Sequence, residues 1–273
     1  MATDMRERAP SRAEIQATLA RLSDAAAEVA SGPATWSEHV SLATRSLQTL
    51  AGAVSFESAA TRQEQITCLE VLQNITYHDP DAGAVEAVAP WVYSQWLRLL
   101  AVDHGNVVVL HNVGLYWLWK TQPTLKHIHE QRQSSTSSEE SSSDVLSGAN
   151  HGAGDSARDG ESQYGSPDHV EARALLHPAI EYLGKAVDRA TERGFLSEDI
   201  LSRAAEAHIS IGTVTSPRQN EQHFRKAVML LRTAKDKGFD LTPSLEQSVA
   251  SSVDIRSTSN SNRYLQVYGR YIE

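Results

Sequence analysis

Two stretches of this chain echo each other: YLGKAVDRATERGF at 182–195 and HFRKAVMLLRTAKDKGF at 223–239. Each places an aromatic residue shortly before Lys-Ala-Val, runs on through charged residues and stops at Gly-Phe. Glycine just past a helix takes up the positive φ that other residues resist, so both helices are expected to end at Gly194 and Gly238, with the following Phe folding back to seal the last turn. The two copies recur with a period of about 40 residues, the second helix nearly a turn longer. A unit of helix, Gly-Phe turn, helix and loop cannot bury its apolar face alone, so it must stack on a neighbour of the same kind.

The same three-and-four spacing runs through the N-terminal half. Ser11 stands three before Glu14, the spacing of a capping box, ahead of the stripe Ile15, Leu19, Leu22, Ala26 and Val29. Thr35 and Glu38 repeat that spacing ahead of Trp36, Val40, Ala43, Leu47, Leu50 and Val54, which predicts a helical hairpin turned at Ser-Gly-Pro. A third helix over 59–77 carries Ile66, Leu69, Leu72 and Ile75. Pro90 predicts either a kink within 83–102 or a restart with proline in the first turn. VVVLHNVGLYWLWKTQ, apolar on nearly all sides, predicts a buried central helix, and PTLKHIHEQR a short separate piece after it. Further on, Ser166-Pro167 and Ser197 start helices, Pro178 predicts a kink or break, and TVTSPRQN reads as a loop before the helix of the second copy. LTPSLEQSVASSV and SNRYLQVYGRYIE predict two last helices. No segment argues for a strand, and the expected fold class is all-α, stacked antiparallel helix hairpins.

Charge is concentrated in one place. Of a formal net charge of −9, the segment 134–171 holds eight acids against one base, Arg158. SSTSSEESSSD at 134–144 and the Gly-, Ser- and Asp-rich stretch after it offer almost no apolar surface to offset ordering entropy. Composition therefore predicts a disordered acidic insertion over 132–166 between helical halves at 1–131 and 167–273. The halves fit two arrangements, separate lobes or one superhelix with the insertion looped out, of which the second is preferred. Outside the insertion the chain is nearly neutral, with no basic face for nucleic acid. Cys68 has no second cysteine to pair with, which suits a reducing compartment. The most apolar run, NVVVLHNVGLYWLW, is about 14 residues and too short to span a bilayer. The N-terminus lacks the apolar core of a signal peptide and is too acidic for a mitochondrial presequence. Cytosol or nucleus, away from membrane, is the expected location.

AEAHISIG followed by FRKAV resembles the core of a tetratricopeptide repeat. In that resemblance His208 takes the aromatic position of the first helix and Gly212 the small residue near its end, while Phe224 and Ala227 form the aromatic and small pair of the second. The chain departs from the family pattern in about three extra residues in TVTSPRQN, in Ala204-Ala205 where the family has Leu-Gly, and in lacking the closing proline. The resemblance covers roughly 170–250. It implies a concave helical face that holds a peptide or partner helix without a cofactor, with Arg or Lys on the groove side orienting an acidic or C-terminal ligand. Arg203, His208, Arg225 and Lys226 are the candidate contacts. Tyr264, Tyr268 and Tyr271 form a terminal stripe that either caps the stack or faces a partner.

Catalytic, cofactor and metal motifs are not found. His127 and His129, beside Glu130, point about 200° apart on a helix and cannot share one ion. His104 and His111 lack a carboxylate or thiolate at ligand spacing. No Gly-rich phosphate loop follows a strand, no serine elbow is present, and Cys68 sits beside Ile66 and Leu69 as a core residue. Asn74-Ile75-Thr76 is a glycosylation sequon by chance, inside a helix. Ser137 stands three before Glu140 and Ser141 three before Asp144, the spacing acid-directed kinases favour, so multisite phosphorylation is expected at Ser137, Ser138 and Ser141. The leading expectation is a protein-interaction scaffold. A helical enzyme or small-ligand binder is the alternative, with its pocket among Trp91, Trp96, His104, His111, Trp117 and Trp119. An architectural subunit of a larger complex is the third, if those tryptophans prove exposed.

Overall fold

The structure, a computed structural model, describes residues 10–32, 35–52, 60–139 and 164–241, with 135–139 described by their backbone alone. Among them every regular element is an α-helix, eight in all: α1 Arg12–Ser31, α2 Ser37–Ala51, α3 Arg62–Thr76, α4 Ala89–Val102, α5 Val107–Glu139, α6 Pro167–Arg193, α7 Glu198–Thr213 and α8 Pro217–Asp236. The helices pack in neighbouring pairs, an arrangement compatible with a helical-repeat fold. They form two compact units, Met1–Asn112 and Val113–Glu273. The boundary falls inside α5, so 113–131 belong with the C-terminal helices and not with the N-terminal half in which composition had placed them. Leu115, Leu118, Leu125 and Ile128 are the reason, since they are buried in one core with α6, α7 and α8.

Local chemistry explains where the first unit's helices begin. Ser11 and Glu14 make the expected capping box, the Glu14 carboxylate accepting from the Ser11 N–H at 2.6 Å. Thr61 and Glu64 make a second one at α3, which the sequence reading had missed. The cap expected of Thr35 and Glu38 is not made. Trp36 occupies the N-cap of α2 without a side-chain bond, its ring lying 5.2 Å from that of His78. Pro90 sits in the first turn of α4, where a missing N–H costs nothing, so this is a restart and not a kink.

Helix α3 is the centre of this unit, with Ile66, Cys68, Leu69, Val71, Leu72 and Ile75 all buried. Gln73 stands in the same core and joins three helices. Its side-chain oxygen accepts from the Trp96 indole N–H at 2.7 Å, and its amide donates to the Asn112 carbonyl at 3.0 Å. Asn112 in turn donates to the Val108 carbonyl at 2.9 Å.

In the second unit α5 and α6 form an antiparallel pair. Gly114 meets Leu183 at one end, and Arg132 bonds His169 at the other. Both helices run unbroken through an internal proline, Pro123 in α5 and Pro178 in α6, which this register sets at nearly the same height. The expected break at Pro123 is thus overturned, and of the kink or break expected at Pro178 the break is ruled out. An internal proline costs about 3 kcal/mol, whereas burying a Leu or Ile side chain contributes about 1.5–3 kcal/mol. Leu125, Ile128, Ala172, Leu176, Ala179 and Leu183 are buried around the two prolines, enough to hold both helices together. As a result α5 continues to Glu139, into the stretch expected to be unstructured. Ser137 and Ser138 fall in its last turn, while Ser141, residues 140–163, and Tyr264, Tyr268 and Tyr271 lie outside the described residues.

The repeated ending is the same motif twice. Gly194 and Gly238 take φ of 76° and 78°. The Phe195 N–H donates to Ala190 O and the Phe239 N–H to Ala234 O, each at 3.1 Å, closing a Schellman turn. Sealing by phenylalanine holds only for the second copy, where Phe239 packs on the core; Phe195 is 53% exposed. Helix α8 starts at Pro217 behind Ser216, so the expected loop TVTSPRQN shrinks to 214–216. The residue two before each Lys-Ala-Val, Leu183 or Phe224, is fully buried, and each presses on a glycine of the paired helix. A Cβ at Gly114 would lie 2.5 Å from Leu183 Cγ, and one at Gly212 would lie 2.8 Å from the Phe224 ring.

Gly212→Ala is therefore expected to destabilise the protein by about 1–3 kcal/mol, the usual penalty of overpacking. Gly184→Ala, where an added Cβ meets nothing within 4 Å, should stabilise α6 by up to about 1 kcal/mol. Urea midpoints of the two variants moving in opposite directions check this.

Candidate functional site

Helix α7 is the most enclosed element of the second unit. From Ile200 to Thr215 no residue is exposed. Four polar side chains within that run are half-buried: Arg203, Glu206, His208 and Ser210. Arg203, Glu206 and Ser210, at i, i+3 and i+7, share one helix face. They make a polar strip, partly open to solvent, along a helix otherwise covered by its neighbours.

Arg203 is fixed on that strip, Nε donating to Asp199 Oδ1 at 3.3 Å and Nη1 to Glu206 Oε2 at 3.0 Å. Burial works against its charge, and Glu206 and Asp199 outweigh burial and raise its pKa. His208 turns toward α8, where its Nδ1 lies 3.4 Å from His223 Nδ1. Burial, then His223 and Lys226, push His208 down to about 4, and burial with His177 lowers His223. Arg225 stands exposed in an ion pair with Glu221 of its own helix, at 2.6 Å. Of the four residues named from sequence, the structure thus brings His208 and Lys226 together, with Arg203 on the strip and Arg225 outside it. His177 and His223 were missed. His223 faces His208 across a helix pair, and no single-helix periodicity signals that.

A second polar cluster closes the far end of α7. Arg132 Nη2 donates to Thr213 O at 3.2 Å and contacts His169 Nε2 at 3.0 Å. Arg173 Nη1 donates to Val214 O at 2.6 Å and to Tyr164 O at 2.9 Å. The last carbonyls of a helix have no intrahelical partner and carry the negative end of its dipole, which is what two guanidiniums neutralise here. Ser166 Oγ lies 2.8 Å from His169 Nδ1, so both ring nitrogens of this 2%-exposed histidine are engaged. Burial, then Arg132 and Arg173, push His169 down to about 4.

The other candidates disperse. His127 lies exposed, 3.6 Å from Asp168, and His129 bonds Gln133 of its own helix. His104 is exposed in the turn before α5 while His111 is buried, so they share no opening. Trp96 is a core residue bonded to Gln73, and none of the tryptophans lies exposed. Cys68 is buried and burial pushes its thiol up to about 12, so it is no nucleophile at neutral pH. A cleft of about 520 Å³ does open in the first unit between α3 and α4, with Arg62, Gln65, Gln95, Arg98 and Val102 on its walls. None of the residues expected to line a pocket belongs to it. Among the described residues no helix is long and apolar enough to cross a membrane, and no group of three or more His, Cys, Asp or Glu is placed to hold a metal ion. No family model, no curated protein and no solved structure matches the chain.

The folded-state pKa of His169 lies below its ordinary value of 6.5, so on acidification the unfolded chain takes up this proton first. The stability it contributes is complete above about pH 6.5 and is lost as pH falls through about 4. His169→Gln should reduce the slope of the urea midpoint against pH across that window. An unchanged slope would refute the assignment.

Proposed function

We propose that α5–α8 form a tetratricopeptide-like binding module and that the chain is a protein-interaction scaffold. The observation that carries this reading is the strip on α7. A helix with no exposed residue from Ile200 onward that still leaves Arg203, Glu206 and Ser210 partly open has the makings of a groove floor. Arg203 is held between two carboxylates and loses little further freedom on binding. Its remaining N–H groups suit peptide carbonyls or an acidic side chain. Lys226 adds a mobile positive charge on the neighbouring helix. An extended peptide or partner helix with acidic character is the ligand this chemistry selects. Phosphorylation of Ser137 and Ser138, in the last turn of α5, and of Ser141 would add about −1.5 to −2 charge each, a means of regulating the same unit.

Filling the strip while sparing the core tests this. Ser210→Trp is expected to leave the helical circular dichroism unchanged and to abolish co-purification of a specific partner from cell extract. Arg225→Ala, outside the strip, should retain that partner. Failure of the unmodified chain to capture a specific partner, or equal capture by Ser210→Trp, rules the reading out. The cleft between α3 and α4 favours a second reading, a small-ligand site in the first unit, since its volume is that of such sites. A partner lost from variants of Arg62 and Arg98 but not from Ser210→Trp would point there.

A further inference from the structure

We propose that His208 of α7 and His223 of α8 form a two-histidine chelate for a transition-metal dication of the zinc type, clipping the last helix hairpin together. Their Nδ1 atoms lie 3.4 Å apart, with ring centroids 5.6 Å apart and planes tilted by 32°. That distance is long for an N–H hydrogen bond, which is usually about 2.7–3.2 Å. It is the edge of a tetrahedral site: zinc–imidazole bonds of about 2.0–2.1 Å place two ligand nitrogens about 3.3–3.4 Å apart. The rings project from antiparallel helices whose register is fixed close by, where Phe224 presses on Gly212. The pair is therefore set before any ion arrives. Both rings are half-buried, which leaves an entry path while excluding much of the competing water.

The electrostatics suit ligation. Burial and the neighbouring charges keep both imidazoles neutral at neutral pH, the form that donates a lone pair to a metal. The charge of His177 on α6 also disfavours protonation of His223. The described residues do not already hold a three-ligand set. The open positions fall to water or to a donor from a bound partner. Lys226 opposes a dication, but its head is exposed and can turn into solvent. Glu206 is engaged by Arg203 and does not compete. By the usual order of affinities Cu²⁺ binds such a pair more tightly than Zn²⁺.

The test uses the full chain, stripped with a chelator, and Zn²⁺ alone. Isothermal titration is expected to show one equivalent bound, and in imidazole nitrogen spectra the resonances of His208 and His223 should move first. His208→Gln and His223→Gln should each weaken binding by about tenfold or more, an effect commonly reached even when groups behind the ligands are altered. His127→Gln and His129→Gln should leave it unchanged. Thermal unfolding should shift upward with Zn²⁺ in the unmodified chain and not in the two pair variants. The proposal is overturned if no Zn²⁺ binds, if other histidines carry the shifts, or if the pair variants bind as the unmodified chain does. Spectra of the unmodified chain decide the matter even where a variant fails to fold.

Discussion

The second unit depends on large side chains seated against glycines. Leu183 lies on Gly114 and Phe224 on Gly212, each large residue standing two positions before Lys-Ala-Val. A glycine in mid-helix sacrifices up to about 1 kcal/mol of propensity, and the return is a close approach that a side chain at that position would prevent. Axial sliding of either helix would drive a neighbouring Cβ into the leucine or the ring. Register is thus set by shape, and polar groups are free to be placed for other purposes.

Polar contacts then fix what shape leaves undetermined. In the first unit Gln73 ties α3 to α4 and α5 through Trp96 and Asn112, inside a core of aliphatic residues. Leaving any of those groups without its bond would cost about 1–3 kcal/mol, so the arrangement discriminates sharply against alternative packings. In the second unit Arg132 and Arg173 reach from α5 and α6 to the last carbonyls of α7. Both guanidiniums act on a helix end, where the backbone has acceptors to spare. That the two uses differ, amides within a core and guanidiniums at its margin, follows from the much higher cost of burying charge.

Much of this was legible from the residues, and what was not shares a cause. Ser11 with Glu14, Ser197 and the two Gly-Phe endings act within one turn of the chain, and each marks a boundary where it was expected, while Pro90 takes the restart of its two expected readings. Thr61 with Glu64 and Ser216 with Pro217 carry equally local signals that were overlooked. Pro123 and Pro178 are different. Their local cost was read correctly, and the burial of Leu125, Ile128 and Leu176, which outweighs it, depends on a partner helix far along the chain. The meeting of His208 with His223, and of Arg132 with His169, is hidden for the same reason. Residues that approach across a pair of helices leave no periodic trace in either helix.

The two prolines have one more consequence. Each deprives its helix of the bond to the carbonyl four residues earlier, that of Trp119 in α5 and of Ala174 in α6. Because the antiparallel register puts them at nearly the same height, the losses coincide in one cross-section of the pair and are not spread along it. There the α5–α6 pair lacks two backbone hydrogen bonds. A bend about that line would leave untouched the side-chain interlock at Leu183 and the guanidinium ties at Arg132, which lie on either side of it.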